Sequence, residues 1–444
     1  MILKKIYSGT KQQKTFLASV RIYTATNILE KAMPFLLMPV LTRLLSLYDY
    51  GIITTFNAVR NNIDPVISMS TPGAVGRAYF DREKKGFNFG CYTYNAVMIN
   101  FAFMFLALSI VLILKNYIPG FHVISVFWLL LVPLFVWAAA TSNIKVKLWI
   151  YQHNPKPYGI YRVMKVLTEM ALSILIVVFL VKTWQGRIIG IGIAETLFCI
   201  VALYLLWKRD KMYPLLNLRY IKDILKFGLP LLPHSFGWML IATADKYFLN
   251  YMVGVSVTGV YGVAYTLAAL IPLLASPIDI SAEPIIYEKI AKLDNHTALG
   301  MVLLSYLYFL LLIAAAIILW LLSPLILKIM VDKKFYGATE FILWLGLGYA
   351  AHGMYRLFSK YIAYSKKTYL MAYNTLVAGL VGVIANYGLI KMNGAVGAAQ
   401  ATCLAYMTSF LLTWWMANRL YPMPWFSIFK PQNLKGLFDT YRKR

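Results

Sequence analysis

Charged and amide side chains recur at helical spacing within stretches of this chain that are otherwise apolar enough to enter a bilayer. Arg21, Thr24, Asn27 and Lys31 fall on one face at a 3.6-residue period, leaving Phe35, Leu37 and Val40 for lipid or packing. If that helix starts near Phe16 and ends near Leu45, Glu30 and Lys31 sit close to mid-membrane. A charge there is expensive even on lenient scales, so each needs a partner or water. From Gly51 onward the design repeats, with Asn57, Arg60, Asn61, Asp64 and Ser68 at spacings of three and four. Two such stripes face to face would enclose a wet groove suited to holding a polar group. The plainer alternative is local neutralisation: Arg60 and Asp64 are an i,i+4 pair, and Glu30 could serve a neighbouring helix.

The second half is sparser in such residues. Asp245 and Lys246 lie towards the outer end of one apolar stretch, Asp279 low in the next, and Arg356 shares a face with His352 and Ser359, which favours a pore-lining position. Lys246 has the alternative of snorkelling to the interface. Tyr261, Tyr265 and Trp238 are deep enough to stack on sugars, although core packing is their plainer role. His153, beside Asn154 and Pro155, has neither nucleophile nor carboxylate partner, and the basic turn around His153, Lys156 and Arg162 carries nothing that reads as catalytic.

The elements that must position these residues follow from composition. With 444 residues, 60% hydrophobic and 14% charged, and a mean hydropathy of +0.65, the chain reads as an all-α, polytopic membrane protein. Twelve spans are expected, at 16–46, 51–76, 89–114, 122–144, 158–181, 188–207, 227–250, 256–280, 298–327, 338–362, 368–390 and 394–418. Crossing the hydrocarbon takes roughly 20 apolar residues. The 43 Lys and Arg concentrate at the termini and in the even-numbered loops, so the positive-inside rule places both termini in the cytoplasm. The net charge of +26 is then topology and anionic-lipid contact rather than nucleic-acid binding, as at Lys4 and Lys5, Lys208 to Lys211, and Arg442 to Arg444. Cys91, Cys199 and Cys403 sit singly in apolar stretches, which indicates neither disulfide nor metal, and no cofactor is implied. Nothing at the N-terminus reads as a cleaved signal peptide.

The longest cytoplasmic connection divides the chain near its middle. One offset places Gly51 on Gly259, Ile52 on Val260 and Tyr79 on Tyr287; a second places Gly192 on Gly397 and Glu195 on Gln400. Six spans on each side, both starting inside, make this a parallel repeat, an arrangement that binds substrate between halves. The expected domains are a cytoplasmic segment 1–15, a first six-helix lobe 16–207, a linker 208–226, a second lobe 227–420 and a basic tail 421–444.

Four stretches together carry a family resemblance: PFLLMPVLTRLLSLYDYG (Pro34 to Gly51), KFGLPLLPHSFGWMLIATADKYFL (Lys226 to Leu249), GVYGVAYTLA (Gly259 to Ala268) and NGAVGAAQAT (Asn393 to Thr402). In this order and spacing they resemble the polysaccharide-exporter branch of the multidrug/oligosaccharidyl-lipid/polysaccharide superfamily, the Wzx-type O-antigen flippases. The resemblance implies a twelve-helix, two-lobed, MATE-like fold in the bacterial inner membrane. It further implies movement of undecaprenyl-pyrophosphate-linked oligosaccharide between leaflets by alternating access, through a cationic cavity and without bond making. On that expectation Arg21, Lys31, Arg60, Lys246, Arg356, Asn57 and Asn61 are candidates for pyrophosphate and glycan, with Lys31 and Arg60 foremost. Glu30, Asp64 and Asp245 are the ion-coupling candidates. A polysaccharide polymerase and its chain-length machinery would be the protein partners, beside membrane lipids. The competing readings are a cation-coupled multidrug antiporter of the same superfamily, against which the basic majority argues, and a membrane-embedded glycosyltransferase, polymerase or ligase. The latter would be expected to carry a sizeable outer loop or a nucleotide-sugar domain.

Overall fold

The computed structural model describes residues 11–115 and 123–427. The expected basic clusters at Lys4 and Lys5 and at Arg442 to Arg444 lie outside the described residues, as does most of the first outer loop. What is described is all-helical apart from turns and short connections, and it divides into two compact units, Met1–Leu232 and Pro233–Arg444.

The first unit contains α1 (Lys11–Leu44), α2 (Leu47–Ser68), α3 (Thr71–Ala78), α4 (Phe89–Leu114), α5 (Val126–Tyr151), α6 (Pro155–Leu175), α7 (Trp184–Lys208) and α8 (Leu218–Gly228). The second contains α9 (Leu232–Met252), α10 (Val255–Ala268), α11 (Leu270–Ala291), α12 (Asn295–Met330), α13 (Thr339–Tyr364), α14 (Tyr369–Asn393) and α15 (Ala395–Leu420). Nine helices among the described residues are long and apolar enough to cross a membrane by length and composition. The expected spans 16–46, 51–76 and 338–362 correspond to α1, to α2 with α3, and to α13, which are not among those nine. Each carries charges that lower its hydropathy; Glu30, Lys31, Arg60, Asp64, Arg356 and Lys360 among them belong to polar clusters described below.

The stretch 51–76 is two helices, not one. A capping box at Ser46 and Asp49 starts α2, the Ser46 hydroxyl accepting from the Asp49 amide at 3.0 Å and the Asp49 carboxylate accepting from the Ser46 amide at 3.1 Å. The helix ends after Pro65, where Met69 and Ser70 adopt φ of 43° and 53°, a left-handed conformation that non-glycine residues rarely take. In an apolar interior the freed carbonyls need donors. Asn100 of α4, fully buried, supplies them: with its amide nitrogen turned to the break it donates to Thr71 Oγ1 at 2.8 Å and to the carbonyls of Ile67 and Ser68 at 3.1 and 3.2 Å.

The expected linker is not loose. Asp210 forms an ion pair with the buried Lys145 of α5 and accepts from Gln152 at 3.0 Å. The Leu215 carbonyl accepts from Asn95 of α4 at 2.8 Å, and Asn95 in turn accepts from the Asn217 amide at 3.0 Å. α8 then lays Tyr220 and Ile224 into an apolar cluster with Met69, Val75, Tyr92 and Leu148. Residues 209–228 are thus a tied part of the first unit.

Candidate functional site

In the first unit α1, α2, α5, α6 and α7 surround a cavity of about 470 Å³. α1 contributes Glu30 and Lys31, and α2 contributes Arg60, Asn61 and Asp64, so five of the ten sequence candidates share one wall system. Arg162 and Lys165 of α6, Asn143 of α5 and Glu195 of α7 complete the polar lining. Lys31, Arg60, Arg162 and Lys165 stand against Glu30, Asp64 and Glu195, a formal balance of one positive charge.

Long-range pairing organises this lining. Glu195, 2% exposed, is held between Arg60 and Lys165, the latter at 2.7 Å, and Arg162 pairs with Glu30. The i,i+4 pairing of Arg60 with Asp64 suggested by the sequence is not what forms: the guanidinium reaches across to α7. Asp64 makes no hydrogen bond or ion pair among the described residues, nor does Lys31, and both are exposed to the space they line. Arg162, expected in a basic turn, lies inside α6.

The antiparallel pair α6 and α7 repeats this charge contact one step along. Lys165 meets Glu195, and eight positions nearer the start of α7, Arg187 meets Glu169 at 2.9 Å and also donates to Ser173. The helices come this close because residue 190 is glycine: a Cβ there would lie 2.8 Å from the backbone of Ser173. α6 is anchored to α1 by the Tyr158 hydroxyl, which donates to Asn27 at 3.1 Å, and by the edge contact of Tyr23 with Tyr158. Asn27 therefore supports the site from the first stripe. Arg21 is exposed on α1 ten positions before Lys31, and Asn57 is half-buried on α2; neither lines the cavity.

In the second unit the candidates are divided between two places. Asp245 is fully buried and accepts from Tyr261 Oη at 2.6 Å, Thr402 Oγ1 at 3.1 Å and Lys246 Nζ at 3.0 Å. Lys246 does not snorkel: it is 5% exposed, donates also to the Ala242 carbonyl at 2.8 Å, and lies 3.7 Å over the Tyr265 ring. These two candidates satisfy each other in a sealed cluster, and Tyr261 and Tyr265 pack against it. Trp238 packs against His352, Tyr355 and Tyr406. Arg356 instead lines a cavity of about 240 Å³ with Asp279, Glu283, Ser359 and Lys360, its Nε 3.0 Å from the Asp279 carboxylate, which also takes Lys360 at 3.4 Å and Tyr308 at 3.2 Å.

The sequence reading missed Lys165, Glu195, Asn143 and Lys360. Two signals were present: Arg162, Lys165 and Glu169 recur at spacings of three and four, and Glu195 is the one acidic residue in the apolar run 188–207.

The cavity sets paired charges and amides inside an all-helical protein rich in apolar helices of membrane-spanning length, the make-up of a polytopic membrane protein with a polar interior site. The comparisons with known proteins agree. The family described as polysaccharide biosynthesis protein matches residues 16–288, more than half of the chain, and the chain belongs to that family. This bears out the resemblance drawn from the four sequence stretches at the level of the family. A Haemophilus influenzae relative called Lsg locus putative protein 1 is 23% identical over 415 residues, covering 89% of this chain and 98% of the relative. Among solved structures, the lipid II flippase MurJ in an inward closed conformation superimposes with a TM-score of 0.70 at 13% identity, covering 96% of this chain and 93% of that one. An inward-facing MATE-family multidrug resistance transporter of the MOP superfamily gives 0.67 at 13% identity, covering 89% and 95%. The fold is therefore that of the flippase and multidrug-exporter group, and the chain is a multi-pass membrane protein of the polysaccharide-biosynthesis kind.

Proposed function

We propose that this protein flips an undecaprenyl-pyrophosphate-linked oligosaccharide, an O-antigen or related repeat unit, from the cytoplasmic to the periplasmic leaflet of the bacterial inner membrane by alternating access. The observation that carries the reading is Lys31, a cation without an ion-pair partner among the described residues, facing a cavity that also holds Arg60, Arg162 and Lys165, each paired with a carboxylate. A diphosphate diester has about two negative charges and cannot cross hydrocarbon unless protein groups replace its water. Ammonium and guanidinium groups make the stronger charge-assisted hydrogen bonds to phosphate oxygens, and Asn61 and Asn143 suit sugar hydroxyls. In this reading Glu30 and Asp64 remain candidates for ion coupling in the same cavity, while Asp245 and Lys246 act in the second unit through their mutual bond. A polysaccharide polymerase and its chain-length machinery would take the flipped product.

Deleting the gene and locating its lipid-linked precursor tests the proposal. The expected result is loss of the surface polysaccharide with precursor accumulating on the cytoplasmic leaflet; precursor reaching the outer leaflet at the normal rate would refute it. The second reading, a cation-coupled multidrug antiporter, is favoured by the unpaired carboxylate of Asp64 and by the likeness to MATE folds. Dye export that depends on this protein, with surface glycan unchanged by the deletion, would establish that reading instead.

A further inference from the structure

We infer that Glu195 is a proton-binding site that loads together with the anion, taking up one proton for each diphosphate bound. The inference rests on the reading that the first-unit cavity receives a diphosphate, and it concerns what that anion must displace. Glu195 is the most deeply buried charge of the lining, and it occupies Arg60 and Lys165 together. In the unloaded protein it therefore stands where a phosphate oxygen would stand, as an internal anion on two of the four cations. Of the other two, Arg162 is held by Glu30, and Lys31 has no ion-pair partner among the described residues. One ammonium does not balance two negative charges, so a bound diphosphate draws on Arg60 and Lys165 as well.

The surroundings leave Glu195 one response once those cations turn to the guest. α2 presents Arg60 and Asp64 towards it, and α1 presents Glu30 and Lys31 across the cavity. From α6 come Lys165, Arg162, which Glu30 holds, Glu169, which Arg187 holds, and Tyr161, whose hydroxyl is already donated to the Phe198 carbonyl at 2.6 Å. Its own helix adds only Cys199, and α5 adds the neutral Asn143. Every cation of this set is then taken, Lys31, Arg60 and Lys165 by the guest and Arg162 by Glu30, and an ionised carboxylate buried beside a diphosphate and two further carboxylates is strongly unfavourable. A proton from the water on the loading side adds to a Glu195 oxygen, giving a neutral carboxyl that can donate a hydrogen bond to the phosphate. On release of the guest that proton returns to water and the ion pairs with Arg60 and Lys165 re-form. No other bond is made or broken.

The test is calorimetry on the purified full chain in detergent, with symmetrical digeranyl diphosphate, a diester that carries two negative charges throughout the neutral range, as probe, at one pH near neutrality in two buffers of different ionisation enthalpy. The difference between buffers counts protons exchanged on binding. The expected result is about one more proton taken up by the wild type than by Glu195→Gln, because the probe itself takes up no proton there. Glu195→Gln should bind the probe more tightly, since the internal competitor is gone, and Glu195→Asp should retain proton uptake. The wild-type count stands even if a variant fails to fold, since uptake near zero overturns the inference. Binding with equal proton counts in wild type and Glu195→Gln, or weaker binding by Glu195→Gln, also overturns it. Absence of binding by every form refutes the diphosphate reading itself and the inference with it.

Discussion

Arg60 on α2 and Glu195 on α7, 135 positions apart in the chain, form an ion pair inside the first unit. The pair commits Arg60, the one cation of the second polar stripe, to a partner that the stripe does not contain. It also leaves Lys31 and Asp64 as the lining charges without a hydrogen bond or ion pair among the described residues. Their substitution therefore reports on ligand binding with little effect on folding, whereas substitution of Arg60 or Glu195 reports on both.

Lys31→Ala should insert and fold normally and bind a prenyl diphosphate about 10- to 100-fold more weakly, the loss of a charged hydrogen bond worth roughly 1.5–3 kcal/mol. Lys31→Arg is expected to rescue only in part because the planar guanidinium directs its donors differently. Binding affinity and complementation of surface glycan are the measurements, and an alanine variant of undiminished affinity would remove Lys31 from the site.

Lys246→Met should destabilise the second unit, because it strands Asp245 in a buried cluster; breaking such a pair costs about 3–5 kcal/mol. The double variant Asp245→Asn with Lys246→Met should recover most of that stability. Thermal unfolding in detergent reads both. A single variant that unfolds at the wild-type temperature while losing transport would return Lys246 to the list of groups that meet the guest.

Asn100→Ala should lower the unfolding temperature without touching the cavity, since it leaves the carbonyls at the end of α2 without a donor at a cost of about 1–3 kcal/mol. Asn100→Asp, which has acceptors only when ionised, should be no better. An unchanged melting curve for either would mean that the break at Met69 and Ser70 is satisfied by other groups.

Both termini are expected in the cytoplasm. Reporters fused after Lys84, Lys211 and Lys367 should read cytoplasm and those after Lys115 and Lys333 the outer side; a reversed pattern would invert the direction of transport proposed here.

The sequence made the α1 and α2 walls of the cavity legible because each is a single helix whose polar residues obey the 3.6-residue period. Lys31, Arg60, Asn61 and Asp64 were found that way, and Glu30 by its place as a charge near mid-membrane. The wall built by α6 and α7 was passed over although Arg162, Lys165 and Glu169 form a short stripe on α6, because what marks it out is pairing between helices: Lys165 with Glu195 and Arg187 with Glu169 are rungs of a ladder, and α7 has no stripe of its own. The break in α2 was hidden for a related reason. Met69 and Ser70 are not residues that announce a left-handed turn, and the donor that makes it tolerable, Asn100, belongs to another helix.

The formal balance of one positive charge in the cavity has an electrical meaning. The lining carries that charge when unloaded; with a diphosphate of about two negative charges and the one proton assigned to Glu195, the loaded site is neutral. A membrane potential then exerts little force on the step that carries the guest outward and acts on the return of the vacant site, by about 2.3 kcal/mol per 100 mV with the cytoplasm negative. Voltage on this account sets how fast the carrier recovers, and a strongly polarised membrane shortens the interval between one guest and the next.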